Sequence, residues 1–346
     1  MMLTQLIRPN IKALQPYTAA RDIYNTNQTN YLFLDANENP NNNGLNRYPD
    51  PQQTALKQRL AAIKGIQTNA LIIGNGSDEI LDLLFRVFCE PNKDAVLIVP
   101  PTYGMYEVLA NINAVNTIKV PLTSTFQLPV SAILAAATTN CKLLFLCSPN
   151  NPTANSFQAA DVETLLQKFN GIVVIDEAYI DFSDTESWLT RLDDFPNLVV
   201  IQTLSKAIGL AGIRVGLGMA SAEIIALLNR IKPPYNINQL SQEIALTRLE
   251  NIPLINSEIE QLKQERKRLI KAFRELKVVV KVHPSDANFL LIEVDNAAKR
   301  YQQLLKLGIL VRDRSQELGC TNCLRISIGT PSENNQLLAV LRQLAK

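Results

Sequence analysis

The chain has 346 residues, with 34 Lys and Arg against 32 Asp and Glu and a net charge of +2. This near-neutral balance argues against a nucleic-acid surface and favours a small-molecule partner, and the length predicts a large core in two lobes. No apolar run approaches the roughly 18 residues of a membrane span, and the first ten residues do not resemble a signal peptide, so we expect a cytoplasmic protein.

The first predicted segment, residues 25–50, is rich in Asn and Pro and is expected to be irregular. From Thr54 to Ala245 short apolar runs alternate with helical periodicity. These runs are "ALIIG", "AVLIVP", "KLLFLC", "GIVVID", "NLVVIQ" and "RVGLGM". The alternation predicts an α/β fold with a mostly parallel sheet covered by helices on both faces.

After Leu254 the sequence changes to a long charged helix, "NSEIEQLKQERKRLIKAFREL", whose charges we interpret as its solvated face. The strand-like runs "VVVKV", "NFLLIEV", "GILVRD" and "CLRISIG" follow, separated by helical stretches. This pattern predicts a smaller α+β domain at the C-terminus. The expected division is an arm over residues 1–47, a large domain over 48–250 and a small domain over 251–346.

Ligands bind open α/β sheets at the carboxyl ends of the strands, so the residues that follow each apolar run are candidates. After "LII" the chain reads Gly74-Asn75-Gly76-Ser77-Asp78-Glu79 and enters a helix. Free N–H groups and the positive end of the helix dipole suit a phosphate there. An ordinary helix cap by Ser77 is the alternative.

Three further strand ends carry polar groups. "LLFLC" leads into a turn that presents Asn151, and "IVVI" leads directly into Asp176, whose carboxylate needs a cationic or N–H partner. "LVVIQ" leads into Ser205 and Lys206, with Arg214 eight positions later. Each has a structural alternative: a plain turn, a helix cap, or a solvated lysine.

Taken together, these ends supply an amine, an acid, an amide, a phenol and a phosphate cradle. The glycine patterns of dinucleotide-binding and P-loop proteins are absent. The sequence contains one histidine, His283, which argues against a mechanism that depends on catalytic histidines. Cys320 and Cys323 have no second pair, so we expect no metal and interpret the five cysteines as reduced core residues. Pyridoxal phosphate uses the whole set.

The sequence resembles the fold-type I pyridoxal-phosphate aminotransferases and, among these, the histidinol-phosphate aminotransferase family. The matching stretches span nearly the whole chain. They are "LDANENP", "LNRYPDP", "GNGSDE", "FCEPNKDAVLIVPPTYGMY", "CSPNNPT", "DEAYIDF", "TLSKAIGLAGIRVG", "GILVRD" and "CLRISIGT". The resemblance implies transamination between histidinol phosphate and 2-oxoglutarate by a homodimer.

The resemblance also implies roles for individual residues. Lys206 bonds covalently to the cofactor, Asp176 partners the pyridine nitrogen, and Asn151 and Tyr179 donate to the phenolic oxygen. Tyr103 stacks on the ring, while Ser205, Arg214 and the N–H groups at Ser77 and Asp78 hold the phosphate, with Tyr48 reaching it from the other subunit. Arg325 and Arg312 bind substrate anions, and Tyr17 and Asn37 close the pocket.

The chain departs from the family pattern at Ala154, where relatives have Gly, and at Ile208, where they have Phe. Neither change removes a catalytic group, although the turn at Ala154 is expected to differ locally. Three alternatives stay open: an aromatic amino-acid aminotransferase, a lyase similar to threonine-phosphate decarboxylase, and a non-catalytic ligand-binding module of the same fold. For Arg325 and Arg312, salt bridges within the domain are the structural alternative.

Overall fold

A computed structural model describes residues 3–15 and 31–344 of the chain. In that part the helices are α1 Pro9–Ala13, α2 Thr54–Lys64, α3 Ser77–Phe88, α4 Met105–Ile112, α5 Val130–Ala136, α6 Ala159–Lys168, α7 Ala222–Ile231, α8 Gln239–Leu249, α9 Ile252–Arg274, α10 Ala297–Lys306 and α11 Pro331–Leu344. The strands are β1 Leu71–Asn75, β2 Ala95–Ile98, β3 Asn116–Lys119, β4 Cys141–Cys147, β5 Ile172–Asp176, β6 Leu198–Thr203, β7 Val215–Ala220, β8 Val279–Val282, β9 Phe289–Val294, β10 Arg312–Asp313 and β11 Cys323–Ser327.

The first seven strands form one sheet in the order β1-β7-β6-β5-β4-β2-β3. Only β7 runs antiparallel, paired with β6 on one side and β1 on the other. The remaining pairs are parallel, and Cys147 of β4 lies opposite Asp176 of β5. The predicted mostly parallel mixed sheet is therefore confirmed. The edge strand β3 was not among the predicted runs, because its ends are polar and exposed.

The two faces of this sheet are buried under different helices, because neighbouring residues of a strand point to opposite sides. Ile72 and Phe145 pack with α3, α4 and α7, whereas Ile73 and Leu144 pack with α2, α5, α6 and α8. Strands buried on both faces read as continuous apolar runs, as "IVVI" does. The helices leave the carboxyl edge of the sheet for the loops that carry the candidate site.

The last four strands form an antiparallel sheet in the order β10-β11-β9-β8, which packs with α9, α10 and α11. This α+β arrangement was predicted. Arg312 of β10 lies directly opposite Arg325 of β11. The expectation for α9 was wrong in one respect, because Arg266 and Glu265 are buried rather than solvated. The Arg266 guanidinium donates to the Ala287 carbonyl, and Glu265 accepts from Asn334.

All five cysteines are buried and free of disulfides, as the interpretation of reduced core residues requires. Cys320 and Cys323 lie in the core that joins the two sheets. Across residues 3–15 and 31–344, none of the helices has both the length and the apolar character needed to cross a membrane.

Candidate active site

The sheet topology brings the predicted strand ends together at one edge. Strands β1, β4, β5 and β6 all point their carboxyl ends at this edge, and the antiparallel β7 begins there. Arg214, which directly precedes β7, is for that reason placed beside the loop that follows β6. Periodicity does not indicate the direction of a strand, so only the family resemblance predicted Arg214 at this edge.

One cleft at this edge collects nine of the ten predicted cofactor residues. It is lined by Ser77, Asp78, Tyr103, Asn151, Asp176, Tyr179, Ser205, Lys206 and Arg214, together with Cys147, Ala178 and Thr203. The lining residues come from six separate segments of the chain. The cleft therefore exists only in the folded protein.

One end of the cleft is built from the start of α3 and is suited to an anion. The helix begins at Ser77 and its cap position is Gly76 (φ 77°), so the alternative of a Ser77 side-chain cap is wrong. The Arg214 guanidinium covers Gly76, where an added Cβ would lie 2.5 Å from Nη2. At Gly216 a Cβ would lie 2.1 Å from the Ser77 nitrogen, so only glycine permits β7 to approach the helix start. The first N–H groups of a helix have no partner within it and bear partial positive charge.

Asp176 at the end of β5 forms another part of the cleft lining. Its Oδ1 accepts from the Ala178 N–H at 3.1 Å, and its Oδ2 accepts from the Tyr106 hydroxyl at 2.8 Å. Burial raises the pKa of Asp176 to about 6, and the hydrogen bond from Tyr106 opposes the rise. A cationic group bound beside this carboxylate would relieve the cost of its burial.

Lys206 lines the same cleft. The residue as a whole is exposed. Partial burial of the ammonium nevertheless lowers the pKa of Lys206, and the positive charge of Arg325 lowers it further. The ammonium lies 5.8 Å from the centre of the Tyr179 ring. A lowered pKa increases the fraction of free amine near neutral pH, which is the form that attacks a carbonyl or accepts a proton.

Asn151 connects the cleft with the smaller sheet. The Arg325 guanidinium donates from Nη1 to Asn151 Oδ1 at 2.5 Å and lies over the Phe289 ring, 5.4 Å from its centre. Within the described residues neither Arg325 nor Arg312 forms an ion pair with a carboxylate, so the alternative of a domain salt bridge is wrong there. Two guanidinium groups directly opposite in a sheet repel each other. An anion bound between them would remove this repulsion.

Five predicted residues do not line this cleft. Tyr48 and Asn37 line a second cleft of about 450 Å³ beside Leu240, and the Tyr48 ring stacks on Tyr235 at 4.5 Å. Arg312 is exposed and lines a third cleft, which Arg325 shares. Tyr17 lies outside the described residues.

Sequence reasoning missed two buried residues that organise the cleft. Tyr106 binds Asp176, as described above. Asn150 joins the loops after β2 and β4, since its Nδ2 donates to the Pro101 carbonyl at 2.9 Å and its Oδ1 accepts from Thr102 at 3.0 Å. Tyr106 lies within α4 rather than at a strand end, and Asn150 lies in the turn after β4 directly beside the predicted Asn151, so no pattern in the sequence singles out either residue.

Ala154 has the backbone conformation that the family's glycine would favour. It is buried with φ 68°, its N–H donates to Asn150, and its carbonyl accepts from the Asp286 N–H at 2.7 Å. The left-handed conformation costs an alanine about 1–2 kcal/mol. The alanine therefore adopts the strained left-handed backbone conformation, and Asn151 lines the cleft.

Known aminotransferases are similar to this chain over most of its length, both in sequence and in fold. Residues 24–341 match the family model described as aminotransferase class I and II. Histidinol-phosphate aminotransferase of Christiangramia forsetii is 55% identical over 342 residues, which are 99% of this chain and 98% of that protein. That of Flavobacterium johnsoniae is 53% identical over 343 residues, with the same two coverages. The fold is similar to that of histidinol-phosphate aminotransferase from Clostridium acetobutylicum (TM-score 0.80, 24% identity, 87% of this chain and 91% of that one).

Proposed function

The chain belongs to the aminotransferase class I and II family, and we propose that it uses pyridoxal phosphate to transfer an amino group from histidinol phosphate to 2-oxoglutarate. The products are imidazole-acetol phosphate and glutamate, and the reaction serves histidine biosynthesis in the cytoplasm. Near-full-length relatives at 53–55% identity support this substrate. The observation that carries the chemistry is the meeting of Lys206, Asp176 and the α3 start in one cleft.

The residues of the cleft fit pyridoxal phosphate. The start of α3, Ser205 and Arg214 would hold the phosphate, and glycine at position 216 lets the backbone of β7 pack directly against the α3 start that forms this cradle. Asp176 would face the ring nitrogen, whereas Asn151 and Tyr179 would donate to the phenolic oxygen. Tyr103 would cover one face of the ring, and its hydroxyl is already held by Asp78 at 3.2 Å.

When bound, the cofactor supplies a carbonyl that bonds to amines and a ring that accepts the electrons of a broken C–H bond. Lys206 would hold the cofactor covalently, and its amine, when free, would move the proton from the substrate Cα to the cofactor carbon. Asp176 would keep a proton on the ring nitrogen. No histidine takes part in this sequence.

Arg325 and Arg312 give the cleft its substrate anion site in this proposal. Histidinol phosphate carries a phosphate and glutamate carries carboxylates, and the planar fork of arginine binds both kinds of group through paired hydrogen bonds. The position of Arg325 beside Asn151 supports this role, because it places the guanidinium at the rim of the cofactor cleft.

We expect Arg325→Lys to raise the KM for both substrates by about 10- to 100-fold, which is the value of one or two hydrogen bonds to a charged group. Lysine keeps the charge but loses the fork. The affinity for pyridoxal phosphate should stay close to that of the parent. Steady-state kinetics with each substrate, beside direct cofactor titration, measure the effect. Unchanged KM values for both substrates would make Arg325 a structural residue only.

A homodimer with shared sites is part of the proposal. Tyr48 and Asn37 lie in a cleft apart from Lys206, which is compatible with their serving the site of a second subunit. The same stretch exposes Leu32 and Leu34 by about four fifths of their surface (81% and 80%). Exposed apolar side chains that cluster on one segment favour an interface.

Sedimentation of the active protein is expected to give a dimer, and Tyr48→Phe should weaken cofactor retention without lowering the melting temperature. The lost hydroxyl removes one phosphate contact supplied by the neighbouring subunit. Tyr31→Phe, in the same exposed segment, serves as the control. An active monomer would contradict the shared site.

The substrate is tested with the purified protein, glutamate and imidazole-acetol phosphate, following the formation of histidinol phosphate. We expect a higher kcat/KM with this pair than with glutamate and phenylpyruvate. Turnover of phenylpyruvate alone would favour the aromatic aminotransferase, and carbon dioxide release from threonine phosphate would favour the lyase.

A further inference from the structure

Tyr106 is a buried phenol next to the cleft that the proposed mechanism leaves unused. It lies on α4 and is fully buried, and its hydroxyl donates to Asp176 Oδ2 at 2.8 Å. Since the Ala178 N–H donates to Oδ1, both carboxylate oxygens have a fixed donor. The carboxylate therefore cannot rotate without losing a hydrogen bond.

The Tyr106 ring is held by its packing, which fixes the hydroxyl as well. It stacks on Phe145 of β4 at 4.9 Å with an interplanar angle of 13°, and it meets the edge of Tyr103 at 5.5 Å and 87°. A phenylalanine would fill the same space in this apolar setting. A buried hydroxyl is costly unless it is bonded, so its bond to Asp176 is the feature that needs explanation.

Other titratable groups surround Asp176 from the neighbouring elements. They are Asp78 on α3, Cys147 on β4, Lys206 in the loop after β6, and the phenols of Tyr103 and Tyr179. Lys206 favours the ionised form of Asp176, whereas Asp78 disfavours it. The charges of Lys206 and Asp78 therefore have opposite effects on the pKa of Asp176. Tyr106 is the side chain that donates a hydrogen bond directly to the Asp176 carboxylate.

We propose that Tyr106 is a positioning residue that keeps the proton shared by Asp176 and the pyridine nitrogen on the nitrogen. The proposal rests on the proposed function, since it needs the cofactor ring beside Asp176. A carboxylate that already accepts a hydrogen bond is a weaker base. In the absence of this bond the proton moves from the nitrogen to an Asp176 oxygen, and no other bond forms or breaks. The ring then withdraws electrons less strongly.

The test is Tyr106→Phe, which removes the hydroxyl and keeps the ring. The purified holoenzyme is loaded with pyridoxal phosphate labelled with ¹⁵N in the ring, and the nitrogen resonance is recorded across pH. We expect the signal to move from the protonated towards the unprotonated position at neutral pH. We also expect kcat to fall about 10- to 100-fold while KM changes less than about twofold.

Two further variants separate this role from packing. Tyr301→Phe, at a partly buried tyrosine that packs against the core of the small sheet, should leave the nitrogen signal and kcat unchanged. In an Asp176→Asn background, Tyr106→Phe should cause little further loss, because the two residues act through one bond.

A nitrogen signal that Tyr106→Phe does not move, or an equal loss of kcat in the Asp176→Asn background, would overturn the role of Tyr106 alone. A parent protein that binds no pyridoxal phosphate would overturn the proposed function as well. The two failures are therefore distinguishable in one experiment.

Discussion

Lys206→Ala is expected to abolish turnover, with a loss of about four orders of magnitude or more, while the protein still folds and binds pyridoxal phosphate. A general base alone contributes about 10²- to 10⁴-fold, and this variant also loses the covalent bond to the cofactor. Folding should be little affected because the residue is exposed at the cleft. The remaining cofactor contacts, those of Asp176, Asn151 and the α3 start, stay in place.

The measurement is the absorbance of the bound cofactor before and after borohydride, followed by the mass of the intact chain. The parent should gain the mass of the reduced cofactor, whereas Lys206→Ala should not. Lys168→Ala, at an exposed position near the end of α6, is the control and should behave as the parent. A reduced adduct in Lys206→Ala would show that another lysine bonds to the cofactor.

Asp176→Asn is expected to lower kcat by about 10²- to 10⁴-fold, since breaking one side of a buried charge pair costs about 3–5 kcal/mol. An amide cannot keep a proton on the ring nitrogen. Turnover within about tenfold of the parent would contradict this role.

The same substitution should leave the cofactor-free protein as stable as the parent or more stable. Burial raises the pKa of Asp176 to about 6 in the folded protein, above its value of about 3.9 in the unfolded chain. The native state therefore binds more protons between these values, and the carboxylate costs stability as the pH rises from about 4 to 6. Any stability gained by Asp176→Asn should be full above pH 6 and absent below about pH 4. Thermal unfolding of both cofactor-free proteins at pH 4 and pH 7.5 measures the difference.

Three of the residues that the cleft brings together share one property that is visible in the sequence: they come at the end of an apolar strand. Asp176, Lys206 and Asn151 each come at such an end, and parallel strands bring their ends to one edge. Arg214 required the further knowledge that β7 is antiparallel. Hydrophobic periodicity contains no information about strand direction.

The residues that were missed or misjudged have no such local signal. Tyr106 lies one helical turn after Tyr103, and only the folded chain places its hydroxyl against Asp176. Arg266 belongs to a charged run that looks like any solvated helix face, yet it is buried against the Ala287 carbonyl. Charge patterns do not distinguish a solvated arginine from one whose donors meet buried acceptors.

Removal of the amino group of histidinol phosphate in the Lys206 cleft can be followed in a single turnover, in which the holoenzyme is mixed with histidinol phosphate and no ketone acceptor. We predict that the bound cofactor converts to its amine form with one imidazole-acetol phosphate released per site, and that 2-oxoglutarate restores the original absorbance. A cofactor spectrum that histidinol phosphate leaves unchanged would contradict the account.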